Sequence, residues 1–241
     1  MSYITKERII ELIKESVKFY PTTGTRPNTF AVINSLSDFN LDNLGYIAED
    51  LKGPDVWTRT NQTANNFKLP YPVVGVVMLE SQISDMVGHT IRILYADRIG
   101  KGKTPEGKRK TQTDILNDTV RFFSNLTAYF ESTGYHEVTL NDNSTIQGYY
   151  NPSALSYLVD SGKILEYEPL TSDQKWAVYN LSVEGFGEMK INYISYPITD
   201  DLIVGGYAEV SFSVANCESE EFNFFDDGLI TGDKKTVYAG K

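Results

Sequence analysis

The sequence predicts an α+β protein: an antiparallel β-sheet packed by two main helices, with long loop-rich insertions. Three observations predict it. Segments 5–19 and 111–133 repeat apolar residues at three-to-four spacing, the period of a helix with one buried stripe. Several β-branched and aromatic runs alternate with a period of two, most cleanly in 207–215. Between them, 22–70 and 141–173 are polar and hold only scattered apolar residues. The 241 residues are 41% hydrophobic and 22% charged, which excludes collagen, coiled coil and wholesale disorder and leaves an ordinary globular chain.

The first helix, 5–19, places Ile9, Leu12, Ile13, Ser16, Val17 and Tyr20 on one side. Thr5 caps it and Pro21 stops it. Lys6, Glu7, Lys14 and Lys18 fall on the other side, so a surface helix docking a single stripe is expected. The next elements are strands. Runs 72–79 and 90–96 are apolar and β-branched, and the polar stretch 81–89 between them is expected to be the loop of a central hairpin.

The second helix opens on Thr111-x-x-Asp114, a spacing that suits a capping box. Its stripe is Ile115, Leu116, Thr119, Val120, Phe123, Leu126, Thr127 and Phe130, and Gly134 is expected to end it. Strands are then expected at 176–183, 190–196 and 207–215. In the last, Ala208, Val210, Phe212 and Val214 face one way and Glu209, Ser211 and Ser213 the other. Residues 197–201 suit the hairpin turn before it. A structureless loop as long as 22–70 or 141–173 is improbable in a compact domain, so these stretches either hold short elements or lie on neighbouring chains. The organisation expected is a single domain, 1–241, with a core of roughly 1–21, 71–140 and 174–217, insertions or arms at 22–70 and 141–173, and an acidic tail at 218–241.

Cysteine usage points to a reducing compartment. The one cysteine, Cys217, cannot form an intramolecular bridge, and with two histidines it cannot make a zinc site unless several carboxylates join in. No metal and no cofactor is expected. The first residues enter a charged amphipathic pattern, and the longest apolar run, 73–79, is far below the roughly 20 residues that cross a bilayer. Synthesis in a cytoplasm and no membrane partner are therefore expected, and the five Asn-x-Ser/Thr triplets carry no weight as glycan sites.

Net charge is −10, but its distribution says more than its sum. The window 98–110 holds Arg98, Lys101, Lys103, Lys108, Arg109 and Lys110 against Glu106 alone, a balance of +5 that leaves −15 for the rest. The stretch 217–233 holds Glu218, Glu220, Glu221, Asp226, Asp227 and Asp233 with no Lys or Arg. Such segregation suits either a solvated loop plus an acidic tail, or a contact in which basic loop and acidic edge meet across a head-to-tail interface. Phe222, Phe224 and Phe225 lie inside the acidic stretch. They read either as an apolar interface anchor or as a segment folded back on its own core.

Catalytic motifs are weak. Gly102-Lys103-Thr104 matches the end of a phosphate-binding loop, but Asp97 stands where that loop needs glycine, and Pro105 follows where a helix should begin. His89 precedes a predicted strand and His136 begins one; both are expected to be hydrogen-bonded edge residues. No Gly-x-Ser-x-Gly elbow is present, and Cys217 sits among carboxylates that raise a thiol pKa. Glu220-Glu221 and Asp226-Asp227 are adjacent and so would point to opposite faces of a strand. The many aromatics, 16 Tyr and 12 Phe, are not interleaved with Lys and Arg as nucleic-acid readers require.

The order of elements carries a resemblance. An amphipathic helix containing 7–13 (Glu-Arg-Ile-Ile-Glu-Leu-Ile), a β-hairpin over 73–96, a long helix containing 114–123 and closing antiparallel strands including 206–212 together resemble the tail-terminator and neck-ring proteins of tailed bacteriophages. The Asn- and Tyr-rich style resembles in particular the ring proteins of crAss-like phages. The resemblance implies a tail-terminator-like core and a closed homo-oligomeric ring, twelve-fold or six-fold. It also implies a place in the virion neck or tail between portal and tail proteins, DNA passing through the lumen, and no catalytic residue. An acidic lumen would repel DNA and let it slide. Two rival readings differ in class: a fibre or adhesin-type binding module using the Tyr-rich segment 148–157, and a nucleotide-binding enzyme using Gly102-Lys103-Thr104.

Overall fold

The computed structural model describes residues 6–18, 27–33, 46–50, 56–59, 71–83, 86–100, 104, 107–170, 182–184, 189–198 and 201–215. Within them the architecture is α+β, as the sequence predicts. In chain order the elements are α1 (Lys6–Lys18), β1 (Thr29–Ile33), β2 (Tyr46–Asp50), β3 (Val56–Arg59), β4 (Val73–Ile83), β5 (Met86–Arg98) and α2 (Gln112–Glu131). Then come β6 (Gly134–Leu140), β7 (Thr145–Tyr150), α3 (Pro152–Asp160), β8 (Ile164–Pro169), β9 (Ser182–Glu184), β10 (Asn192–Ile198) and β11 (Asp201–Ala215).

The main sheet runs β10-β11-β5-β4-β1-β2-β3, with β9 also paired to β11. Its spine is a ladder in which every residue of β11 from Ile203 to Ala215 pairs with β5. β5 in turn pairs with β4 as the predicted hairpin. The polar stretch 81–89 is not a loop, however, because the two strands continue to Ile83 and resume at Met86. Polarity there reflects strand residues that need no apolar partner: Ser81 Oγ and His89 Nδ1, paired across the strands, lie 2.9 Å apart. His89 is thus hydrogen-bonded and buried, in a central strand rather than at an edge. The sheet is not wholly antiparallel either. β1 pairs parallel with β4, which requires a connection of a dozen or more residues, and residues 34–72 supply it while contributing β2 and β3.

Alternation assigns the two faces. Phe30, Val74, Val76, Ile91, Ile93, Tyr95, Ala208, Val210 and Phe212 form one apolar face against α1 and α2, where Phe130 meets Phe212 at 5.0 Å and Phe122 stacks on Tyr95 at 5.3 Å. Ala31, Ile33, Val73, Val77, Leu94 and Ile203 form the opposite face, also buried. Residues 208–212 therefore bury the set expected from their alternation. Two glycines let layers approach. A Cβ at Gly205 would lie 2.0 Å from the Tyr95 carbonyl oxygen, and one at Gly206 would lie 3.0 Å from Cγ2 of Thr119 on α2.

α2 carries the predicted capping box: Asp114 N–H donates to Thr111 Oγ1 (3.3 Å) and Thr111 N–H donates to Asp114 Oδ2 (2.7 Å). The Thr111 N–H and the Thr111 hydroxyl (2.8 Å), both donating to Asp114 Oδ2, hold the Asp114 carboxyl below its ordinary pKa. The buried set is Ile115, Asp118, Thr119, Phe122, Phe123, Leu126 and Phe130. Val120, expected inside, is exposed, and Leu116 and Thr127 are half-buried, while Asp118 and Phe122 are buried, because the sheet-facing stripe sits one position earlier in the turns. The helix ends on Ser132, whose N–H and hydroxyl return to the last carbonyls, and Gly134 begins β6 instead of closing α2.

Both polar stretches hold elements. Residues 22–70 contribute β1, β2 and β3 to the main sheet, and 141–173 contribute β7, α3 and β8 to a second sheet, ordered β7-β6-β8. Its core is Val138, Tyr150, Leu155, Leu158 and Ile164. Asn151 caps α3 by accepting from Ser153 N–H (2.8 Å) and donates to the Tyr129 carbonyl (2.7 Å), tying the small sheet to α2.

The first helix departs most from expectation. It does not dock one stripe with a solvated back: Arg8, Glu11, Lys14 and Glu15 are as buried as Ile9 and Leu12. The charges reconcile this burial by pairing. Arg8 Nη1 donates to Glu15 Oε1 (2.8 Å), its Nη2 donates to the Tyr149 carbonyl (2.7 Å), and its guanidinium lies over the Tyr150 ring at 4.9 Å. The Tyr129 hydroxyl donates to Glu15 Oε2 (2.9 Å), and burial beside that carboxylate raises the phenol pKa well above its ordinary value. α1 is the joint at which main sheet, α2 and small sheet meet.

Replacing Arg8 by Met leaves Glu15 buried without its guanidinium and is expected to cost about 3–5 kcal/mol in chemical denaturation. Gly205→Ala forces a side-chain carbon into the β5 backbone and should cost about 3 kcal/mol or more. Gly162→Ala, at an exposed φ of 68° with open space around it, should cost only about 1–2 kcal/mol in the same assay.

Candidate assembly interface

The basic window 98–110 leaves the sheet at the end of β5 and returns directly into α2. Ile99 N–H donates to the Leu202 carbonyl (3.0 Å) and Gly100 N–H to the Lys110 carbonyl (3.1 Å), so the two strands of the loop close beside the start of β11. Gly100 and Gly107, at φ of 73° and 79°, occupy the left-handed region that the turn requires. Thr104 and Lys108 exchange a further bond, Thr104 N–H to the Lys108 carbonyl at 2.8 Å.

Under this loop lies a buried ion cluster. Lys110 Nζ donates to Asp97 Oδ2 (3.0 Å) and to Asp118 Oδ2 (2.6 Å), and Asp97 Oδ1 accepts from Arg98 N–H (2.8 Å). Arg121 completes it from the surface, 3.5 Å from Asp118 Oδ1. Burial raises the Asp97 carboxyl above its ordinary pKa, opposed by Lys110 and by the bond from Arg98. One lysine thus clamps the end of β5 to the second turn of α2 at the base of the window.

Of the four candidate interface residues that are described, two lie at the surface. Lys108 and Arg109 are exposed. Lys110 is buried in the clamp, and Arg98 is buried with its guanidinium over the Tyr71 ring at 4.4 Å; neither is available to a partner, because each neutralises or covers a group inside its own chain. Lys101, Lys103, Phe222, Phe224 and Phe225 lie outside the described residues, as do Gly102, Pro105, Cys217, Glu220-Glu221 and Asp226-Asp227. The strand expected at 176–183 falls there too, except for Ser182 and Val183 in β9.

Other expected features resolve as follows. Asp97, which occupies the position a phosphate loop reserves for glycine, is committed to Lys110. Tyr149 and Tyr150 are buried in the two cores, leaving Tyr157 as the exposed ring of the Tyr-rich segment. Among the described residues no group of three or more His, Cys, Asp or Glu could hold a metal ion, and no helix is long and apolar enough to cross a membrane. His136 sits in the central strand of the small sheet with Nδ1 2.9 Å from the Gly134 carbonyl, and burial lowers its pKa.

The clamp was hidden at the sequence level, although a signal existed. Asp118 sits between Ile115 and Phe122 on the buried stripe of α2, where a carboxylate needs a cation, and Lys110 lies eight positions back. Comparison of the chain with protein-family models, curated proteins and solved structures gives no match.

Lys110→Met leaves Asp97 and Asp118 facing each other in a dry site, with an expected loss of about 3–5 kcal/mol near neutral pH. An aspartate with a raised folded pKa contributes most below its unfolded value and loses that contribution as pH rises through the folded one. Lys110→Met should therefore recover stability relative to the wild type on acidification from about pH 7 to about pH 5, measured by denaturant melts across that range. His136 works in the opposite direction. With a folded pKa below its ordinary 6.5, it contributes stability above that value and loses it as pH falls; His136→Gln should flatten the slope of stability against pH below about pH 6.5.

Proposed function

We propose that this chain is a structural virion protein that forms a homo-oligomeric ring in the neck or tail of a tailed bacteriophage, joining the portal side to the tail and giving DNA a conduit. The observation that carries this reading is an exposed cationic pair beside a buried clamp. A chain of net charge −10 presents Lys108 and Arg109 next to the buried Asp97–Lys110–Asp118 cluster. A cationic patch anchored on an anionic body suits repeated contact between identical subunits, because each copy offers both signs and ring closure satisfies every copy. The same anionic remainder, lining a lumen, would repel DNA and keep it mobile. The α+β architecture with two helices on one sheet face agrees with the element order on which the resemblance to tail-terminator and neck-ring proteins rests. In this reading the chain has no catalytic role and takes no cofactor, and its partners are further copies, the portal and tail neighbours, and DNA in passage.

Native mass spectrometry and negative-stain imaging test the proposal. The wild type is expected as a closed assembly of six or twelve copies of the 27.1 kDa chain. The double reversal Lys108→Glu, Arg109→Glu should release subunits that keep the wild-type melting temperature, since both side chains are exposed. Lys110 must be left intact in that variant because its loss acts on the fold. A wild type that stays monomeric, or a double variant that still forms rings, overturns the reading.

A further inference from the structure

The two ends of α2 carry opposite charge. Just before its first turn, Lys108 and Arg109 are exposed. Just after its last turn stands the small sheet, which begins at Gly134 and is tied to the helix by Asn151 on the Tyr129 carbonyl. Residues 134–170 hold Glu137, Asp142, Asp160, Glu166 and Glu168 against Lys163 alone, five acidic residues against one basic. The 20 residues of α2, about 30 Å of helix, run between the two ends.

The small sheet presents its charge on an open edge. β8 pairs with β6 on one side, and among the described residues nothing pairs with its other side. Leu165, Glu166 and Glu168 are all exposed there. No cation stands opposite either carboxylate: Glu168 pairs with Glu137, and Glu166 with Thr139. A like charge directly across two strands is destabilising, so this edge gains from a cation brought to it. Lys108 and Arg109 have the converse need. Among the described residues none of Lys108, Arg109, Glu166 and Glu168 forms an ion pair, so the two surfaces do not satisfy each other within one subunit.

We propose that the β8 edge of one copy docks on Lys108 and Arg109 of the next, joining copies head to tail. Charge complementarity selects this occupant over a two-fold pairing of β8 with itself. Self-pairing would bring Glu166 and Glu168 against the same two residues of the copy, and edge charges of this kind keep strands from joining. The head-to-tail contact instead brings each carboxylate to a cation, with Leu165 supplying apolar area beside them. Complementary charge of this sort fixes partner and orientation more than it adds affinity. The pairing deepens the ring reading and rests on it for closure, because a heterologous contact also permits an open chain.

A charge swap in the full-length chain tests it. One variant carries Lys108→Glu with Arg109→Glu, a second carries Glu166→Lys with Glu168→Lys, and a third carries all four changes. Native mass spectrometry at low ionic strength, with thermal melts to verify folding, should find each two-residue reversal at least about tenfold weaker in self-association than the wild type. The four-residue swap restores opposite signs across the contact and should return association to near the wild-type level. Salt should weaken the wild type and the swap alike. Open chains of the wild type, lost in each reversal and regained in the swap, would uphold the pairing and refute the ring. Closed rings that persist in the Glu166→Lys, Glu168→Lys variant would refute the pairing and leave the ring standing. A swap as weak as either reversal overturns the pairing, and a wild type that stays monomeric overturns both.

Discussion

The structure depends on the ladder between β5 and β11. Its thirteen consecutive pairs set which side chains of the main sheet face α1 and α2 and which face the other way, because a slip of one residue would exchange the two sets. Ile91, Ile93, Ala208, Val210 and Phe212 reach the helix layer only in this register. The same ladder brings Gly205 and Gly206 against Tyr95 and Thr119, where no side chain fits, and places Arg92 opposite Glu209, with which it forms an ion pair. At its Leu202 end the ladder is joined to the base of the basic window by the Ile99 N–H bond to the Leu202 carbonyl.

Two buried polar networks fasten the helices to this frame. Arg8, Glu15 and Tyr129 join α1 to α2 and to the small sheet, and Lys110 joins β5 to α2 through Asp97 and Asp118. Such pairs contribute little over an apolar equivalent, since desolvation offsets most of the attraction, but removing one partner is costly. Their effect here is positional. Each lies where one layer crosses onto another, and apolar packing alone tolerates small shifts there. The Lys110 cluster matters most for the proposed interface, because it anchors the segment on which Lys108 and Arg109 are exposed.

Legibility in the sequence followed the kind of information each element uses. The capping box at Thr111 and Asp114, the stripe of α2, the alternation of 207–215 and the β4–β5 hairpin are local patterns whose period alone specifies them, and they were readable. The loop expected at 81–89 and the solvated charged side expected for α1 differ from the structure for one shared reason. In each case polarity in the sequence suggests contact with water, whereas Ser81 and His89 bond each other across strands and Arg8 and Glu15 satisfy each other inside the core. Lys110 belongs with them: six basic residues in one window look alike in a sequence, yet Lys110 is bound inside by two carboxylates while Lys108 and Arg109 are exposed.

The sequence by itself determined the α+β class, the position of both long helices, the inward set Ala208, Val210 and Phe212 of the last strand, and the segregation of charge into a basic window and an acidic stretch. These follow from periodicity and composition, which are properties of neighbouring residues. Tertiary structure alone decided the parallel pairing of β1 with β4, the burial of α1 residues 8–17, and the division of the described basic residues into buried Arg98 and Lys110 and exposed Lys108 and Arg109. Those outcomes depend on which distant residue lies within a few ångströms, and the partners of Arg8, Asp97 and Leu202 lie far away along the chain yet adjacent in space.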